Sequence, residues 1–513
     1  MDRNVVLLRF DFTYTSGSDF FEYLLCLYAK NLNFSLEKSQ EIITLKAQGN
    51  EKAINEFCTS LENMPNSVFV RDFKVQALEN ESIEQSQIQK NFAKKDFLTS
   101  LNSRAYQEKG ELIDNEWGEF VNDELCFDGA SFEPISRANF NALLDESVSR
   151  LCTEQSFFVK NELGVYEIEL FKGEWQKDFL MATDIKAIKS AFVCSNENLK
   201  LLASLEKPLI KLRFSAIFRS KYQLEFNEFR LKLPHNLFFF ALGEKLFEKN
   251  VNFLAFTKRE NLGADFEIYE LDKRLIVLNG LSSINQKARE LILSKDDKNM
   301  ARISYILSRF DERALLLELS QNDDDILLVD KGANLLRLDL PHNAKQLYAD
   351  ICADEVGARL FENYKQNFKL LNGEFKVKNN FFSLLGLVGQ MLGLDDETQK
   401  AAHKLLELSD SSKLPRGVKI DFRFKENSKE FDYTRTLRST MSFMLAGVEA
   451  SNIAYGAVES LVYFLRDFYD ELRKKGLAEF AIISGSLFEC KSLTKNTLKH
   501  LKNCKVSDVP LFI

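Results

Sequence analysis

The stretch AEFAIISGSLFECKSL, Ala478 to Leu493, constrains this chain more than any other. Phe480 to Ile483 is a short apolar run of strand type, Gly485 supplies the positive φ of a sharp turn, and Thr494 to Lys502 resumes a helical pattern. A strand that ends on small residues before a helix lets the backbone approach an anion closely, and the unpaired N–H groups of the next helix point at it. Ser484, Gly485 and Ser486 are therefore a candidate phosphate or nucleotide loop. An ordinary strand-to-helix connection is the other reading of the same residues, and both need a buried strand that feeds a helix.

At 513 residues the chain is too long for one ordinary core, so two to four domains are expected. A composition with 45% hydrophobic and 28% charged residues is that of a globular protein without disorder bias. The net charge of −8 argues against a general nucleic-acid or anionic-membrane binder. No basic, apolar and small-residue leader precedes the strand-like run Val5 to Phe12, and the longest apolar stretch, Phe381 to Leu394, is too short to span a bilayer. A cytoplasmic location without membrane insertion is the expectation. The cysteines, at 26, 58, 126, 152, 194, 352, 490 and 504, form no CxxC pair and read as reduced thiols. His235, His342, His403 and His500 lie far apart, so spacing gives no support to a metal site.

Taken in order, residues 1–76 approximate a β-α-β-β-α-β unit of the split ferredoxin-like kind. Its strands are Val5 to Phe12, Glu41 to Lys46 and Ser67 to Val75, its helices Asp19 to Asn31 and Glu51 to Glu62, with one middle strand unassigned. Residues 77–135 are polar and glutamine-rich at the start, with no clear core, and read as a connector. From residue 136 to about 300, helices near Phe140 to Leu151 and Asp184 to Phe192 alternate with strands at Tyr166 to Phe171, Leu209 to Phe214 and Val251 to Phe256, as in an α/β domain. A charged segment, Lys295 to Asp311, opens the last region, residues 301–513. There Asp325 to Val329 is the one clear strand before helices at Phe381 to Leu392, Asp396 to Leu408 and Met444 to Lys475. Gly447 and Gly456 are expected to break the last of these.

Several of these fragments, in this order, resemble the HypF family of carbamoyltransferases, which help make the cyanide ligands of nickel-iron hydrogenases. Val5 to Val75 is similar to the family's acylphosphatase-like domain. YEIELFKG (Tyr166 to Gly173), NLKLLASLEKPLIKLR (Asn198 to Arg213) and Leu233-Pro234 resemble its YrdC-like, carbamoyl-adenylate-forming domain. SLLGL from Ser383, ETQKAAHKL from Glu397, Ile453-Ala454 and ISGSLFECKSL from Ile483 resemble its actin-like, TsaD-like transfer domain. The resemblance implies α/β and α+β domains at 1–76, 136–300 and 301–513, the connector 77–135 replacing the family's zinc fingers.

The departures from the family pattern bear on chemistry. Where the family has an arginine after a phenylalanine in its N-terminal phosphate loop, Phe20 is followed by Phe21. Residues 77–160 hold only Cys126 and Cys152, too few for a zinc finger. In the transfer domain, Ser486, Glu489 and Cys490 replace the family's glycine, glutamine and asparagine, no histidine cluster has a counterpart, and the terminal Asp-Gly-Gly segment would lie beyond Ile513. Lys172, at the family's Lys-Gly position, is a candidate remnant of the carbamoyl-adenylate site, a solvated strand-end lysine being the plainer reading. His403 reads as a helix histidine, Asp395 to Glu397 as helix-capping acids, and Cys490 as a buried thiol.

The resemblance thus implies a HypF-like protein without carbamoyl chemistry, similar to the divergent HydE-type proteins encoded beside nickel-iron hydrogenases. No catalytic residue, metal or cofactor is expected, and a hydrogenase subunit or maturation protein is the expected partner. An active ATP-dependent carbamoyltransferase and an unrelated α/β scaffold are the alternatives.

Overall fold

The computed structural model describes residues 5–39, 41–79, 83, 95–174, 176–224, 226–310, 313–329 and 332–513. They form two compact units, Met1–Glu290 and Leu291–Ile513. The glutamine-rich start of the connector falls largely outside the described residues.

The first unit opens with β1 (Val5–Tyr14), α1 (Phe20–Ala29), β2 (Asn33–Ser39), β3 (Ile42–Asn50), α2 (Glu51–Glu62) and β4 (Val70–Ala77). The strand left unassigned by the sequence is β2. All neighbours pair antiparallel in the order β2-β3-β1-β4, the split βαβ arrangement. Alternation along β1 buries Phe10, Phe12 and Tyr14 on one face. Against them packs Phe21, stacked on Tyr14 with ring centroids 5.0 Å apart. Asn50 starts α2 by accepting the Ala53 N–H.

A second, 11-stranded sheet fills the rest of this unit. The strand Phe253–Asn261 lies inside it between Gly164–Leu170 and Phe179–Ala182, all antiparallel. One face is covered by the helices Phe140–Cys152 and Leu237–Phe247, with Phe140, Phe238 and Phe239 fully buried. The connector is built into this sheet rather than appended to it. Glu124–Cys126 pairs with Phe157–Asn161, and the helix Ser100–Lys109 lies against Leu237–Phe247. Asp123 anchors it, its Oδ2 accepting from Asn236 Nδ2 at 2.8 Å and lying 3.0 Å from His235 Nε2.

In the second unit the sheet order is Ile326–Val329, Ala314–Glu318, Phe480–Ser484, Cys504–Val506. The two central strands run parallel, Glu318 opposite Ser484, and both are buried throughout. The charged segment expected from Lys295 contains the helix Lys298–Ser308, which turns Arg302, Ile303 and Ile306 inward. The expected break at Gly447 is real: it has φ +74 between the helices Tyr433–Leu445 and Ala450–Lys474. Gly456 breaks nothing. It lies inside the second of these helices, where a Cβ would meet the Val418 carbonyl oxygen at 2.3 Å. The extended segment it admits is held to the helix by bonds from the backbone N–H groups of Gly417, Val418 and Ile420 to Glu459, Asn452 and Ser460.

Two opposed effects therefore meet at Gly456. Alanine is favoured over glycine in a helix by about 1 kcal/mol, but overpacking costs about 1–3 kcal/mol. The backbone contact cannot yield as a flexible side chain would, so Gly456→Ala is expected to lower the urea midpoint of the full-length protein. An unchanged or raised midpoint would show that the segment moves away freely.

Candidate functional site

The turn after Phe480–Ser484 takes its shape from packing. Gly485 has φ +97, and a Cβ there would lie 2.1 Å from the Leu319 carbonyl oxygen, so no other residue fits without rearrangement. The strand end places Ser484 fully out of solvent and Ser486 nearly so.

Four backbone donors of this turn, those of Gly485, Leu487, Phe488 and Cys490, are already engaged. Gly485 N–H donates to the Leu511 carbonyl at 2.8 Å and Leu487 N–H to the Leu319 carbonyl at 2.9 Å. Phe488 N–H and Cys490 N–H bond back to Gly485 and Leu487, closing a short 3-10 turn. Ser486 Oγ accepts from Gln321 N–H at 2.8 Å, and the Gln321 side chain donates to the Ser486 carbonyl. An anion held by such a turn needs converging free N–H groups. Here the chain's own carbonyls occupy those of Gly485, Leu487, Phe488 and Cys490.

The following helix, Lys491–His500, is also claimed at its start. Asp410, from the helix Thr398–Ser411, accepts from Ser492 N–H at 2.7 Å and Lys491 N–H at 3.1 Å. A carboxylate thus sits where the positive end of the helix dipole favours negative charge. The Cys490 thiol is 3.3 Å from the same carboxylate. Burial, and then Asp410, push this thiol well above its usual range, so it stays protonated.

Beneath the turn lies Arg302, which has no exposed side-chain surface. Its guanidinium donates to Ser484 Oγ at 2.6 Å, the Pro510 carbonyl at 3.2 Å, Glu318 Oε1 at 2.5 Å and Asn299 Oδ1 at 2.7 Å. Burial raises the Glu318 carboxyl, and Arg302 and Ser484 oppose the shift. A second buried acid, Asp325, is pushed well above the usual carboxylate range by burial. It accepts from Phe381 N–H at 2.6 Å and Ser320 N–H at 2.7 Å, tying the loop after Ala314–Glu318 to the helix Phe381–Met391. Reading the sequence alone missed the roles of Arg302, Asp410 and Asp325, since each acts on a partner remote in the chain.

The other sequence candidates lie apart from this turn. Lys172, in the first unit, is half exposed and pairs with Glu154 at 2.8 Å, a hydrogen bond that raises its pKa. Asp395 accepts the Glu397 N–H at 3.0 Å and pairs with Lys404 at 2.7 Å. His403 stands edge-on to Phe382 and His500 edge-on to Tyr463. Among the described residues no three His, Cys, Asp or Glu side chains converge as metal ligands, and no helix is long and apolar enough to cross a membrane.

The N-terminal loop between β1 and α1 repeats the pattern. Thr15 N–H donates to the Phe69 carbonyl at 3.0 Å, while Gly17 N–H and Ser16 Oγ both donate to the Ser283 carbonyl at 2.8 Å. Ser18 N–H turns back to Ser16 Oγ.

This mixed α/β, multidomain fold matches that of full-length HypF. A crystal structure of full-length HypF in its phosphate- and nucleotide-bound form matches with a TM-score of 0.58 at 12% identity, over 99% of this chain and 96% of that one. HypF of T. kodakarensis matches with a TM-score of 0.62 at 10% identity, over 98% and 96%. In sequence the chain is a distant full-length homologue of Protein HydE of Wolinella succinogenes, 24% identical over 547 residues that cover 96% of each chain. No protein-family model matches the chain.

Two outcomes follow from the geometry. Arg302→Ala leaves Glu318 buried and unpaired, and is expected to destabilise the second unit by about 3–5 kcal/mol in urea unfolding. Arg302→Lys should recover only part of this, because an ammonium cannot fork to four acceptors. At pH 8, iodoacetamide should alkylate the exposed Cys152 in the native protein while Cys490 reacts only after unfolding, as read by peptide mass spectrometry. Rapid native labelling of Cys490 would contradict the closed turn.

Proposed function

We propose that this chain is an accessory maturation or assembly factor for a nickel-iron hydrogenase, a HypF-like scaffold that does not transfer a carbamoyl group. Its partner is a hydrogenase subunit or another maturation protein, and it needs no cofactor. Residues 1–76 then correspond to an acylphosphatase-like domain, 136–300 to a YrdC-like domain and 301–513 to an actin-like domain, with 77–135 in place of zinc fingers.

The observation that carries this reading is the engagement of the Gly485 turn. The Gly485 and Leu487 N–H groups serve Leu511 and Leu319, and Asp410 holds the start of the next helix. Activating carbamoyl phosphate with a nucleotide requires cations on the phosphates and a metal to neutralise charge in the transition state. The N-terminal loop supports the same reading. Where the HypF-like pattern has an arginine, Phe21 is a 2% exposed core residue stacked on Tyr14, with no charge to offer. Lys172 is engaged by Glu154. The full-length relation to Protein HydE and the HypF architecture favour retained docking surfaces rather than an unrelated scaffold.

Calorimetric titration of the full chain with ATP and magnesium, followed by a pyrophosphate-release assay on adding carbamoyl phosphate, tests the reading. We expect no saturable heat and no pyrophosphate above background. Binding with turnover would replace it with an active, ATP-dependent carbamoyltransferase, whose metal ligands would then have to be sought among residues outside the turn. Co-purification of a hydrogenase subunit or maturation protein with the tagged chain is the positive counterpart.

A further inference from the structure

The open edge of the first sheet has the properties of a self-pairing strand. Among the described residues β4 pairs only with β1, and every residue from Arg71 to Ala77 is exposed. Its side chains alternate between the faces, with Phe73 and Val75 on the side of Phe12 and Phe10. Neither is covered: Phe73 is 61% and Val75 46% exposed, although the Phe73 ring lies stacked on Phe12 at 6.1 Å. Asp72 and Lys74 occupy the opposite face. Neither has an ion-pair partner among the described residues. Phe73 N–H is turned from the ladder and donates to the Asp72 carboxylate at 2.9 Å, so this edge donor is met only by its own neighbour.

We infer that β4 is an interface between two copies of this chain, pairing antiparallel with β4 of the second copy across a two-fold axis at Phe73. That register sets Phe73 against its own counterpart on one face. On the other face it sets Asp72 of each copy opposite Lys74 of its mate, two ion pairs by symmetry. The neighbouring two-fold registers are disfavoured: centring on Asp72 opposes two carboxylates, and centring on Lys74 opposes two ammonium groups. An edge charged only for protection against aggregation has no need of this match, since lysines alone suffice. In the pair, Phe73 N–H exchanges its bond to Asp72 for the carbonyl of the mating strand, and the carboxylate is released toward Lys74. A contact of one strand per copy is below the size of a permanent interface, so the dimer is weak and concentration-dependent.

Sedimentation velocity of the full-length protein between about 1 and 500 µM reads this directly. The expected result is a monomer–dimer equilibrium that Asp72→Lys or Lys74→Asp alone weakens by about tenfold or more, since each creates two like-charge oppositions. The double variant Asp72→Lys with Lys74→Asp restores opposite charges and should return the dissociation constant to within about threefold of the original. All these positions are exposed, so circular dichroism should show an unchanged fold. A protein that stays monomeric throughout, or a dimer indifferent to both single reversals, overturns the inference, as does a double variant no better than either single one.

Discussion

The second unit depends on one buried guanidinium. Arg302 reaches both central parallel strands through Glu318 and Ser484, and the C-terminal segment through the Pro510 carbonyl. Burying a charge costs several kcal/mol unless its donors and counter-charge are all met. Here one side chain meets four acceptors, and by doing so it fixes where the strands end. The Gly485 turn, the Leu319 carbonyl beneath it and the segment carrying Leu511 are assembled around that point. The same arrangement gives the turn its partners. With the C-terminal segment held by Arg302, the Leu511 carbonyl is delivered to Gly485 N–H.

Both loops that the resemblance associated with anions are closed in the same way, by carbonyl oxygens and short side chains of the chain itself. A backbone N–H exchanged from water to a protein carbonyl gains only about 1 kcal/mol, but a buried donor left without a partner loses more. A turn of this kind is therefore stabilised when its own chain supplies the acceptors. Ser283 does this for Gly17, Leu511 for Gly485 and Asp410 for the following helix. The N-terminal loop adds apolar packing, since Phe21 belongs to the same core as Phe12 and Tyr14.

Local pattern made much of this legible. The strand Phe480–Ser484, the helix Phe381–Met391, and β1, α1 and α2 were readable from period and length, because neighbours in sequence determine them. β2 was not: Phe34 is its one buried side chain, and the charged and polar residues around it look like a loop. Ala314–Glu318 was missed for the opposite reason, as a strand buried on both faces has no alternation to detect. Gly456 was misread because glycine's cost in a helix is local, whereas the Val418 backbone that requires it is not. At the candidate site the turn itself was legible but not what fills it. Ser484 and Arg302 are 182 positions apart, and Lys491 and Asp410 are 81 apart.

The glycine at 485 illustrates why a surviving motif is weak evidence of surviving chemistry. The Leu319 oxygen, 2.1 Å from where a Cβ would stand, excludes any side chain there whether or not a phosphate binds. Glycine is thus required by the packing of two parallel strands, and its presence carries no information about a ligand. The informative positions are those where packing would accept several residues and only chemistry would demand one. Position 490 is of this kind. A small buried group fits beside Asp410, and the residue found there is a thiol held protonated by that acid and by burial. Position 21 is another, filled by a phenyl ring in a phenylalanine-rich core. At these two positions stand a buried ring and a thiol, each engaged within the chain's own core.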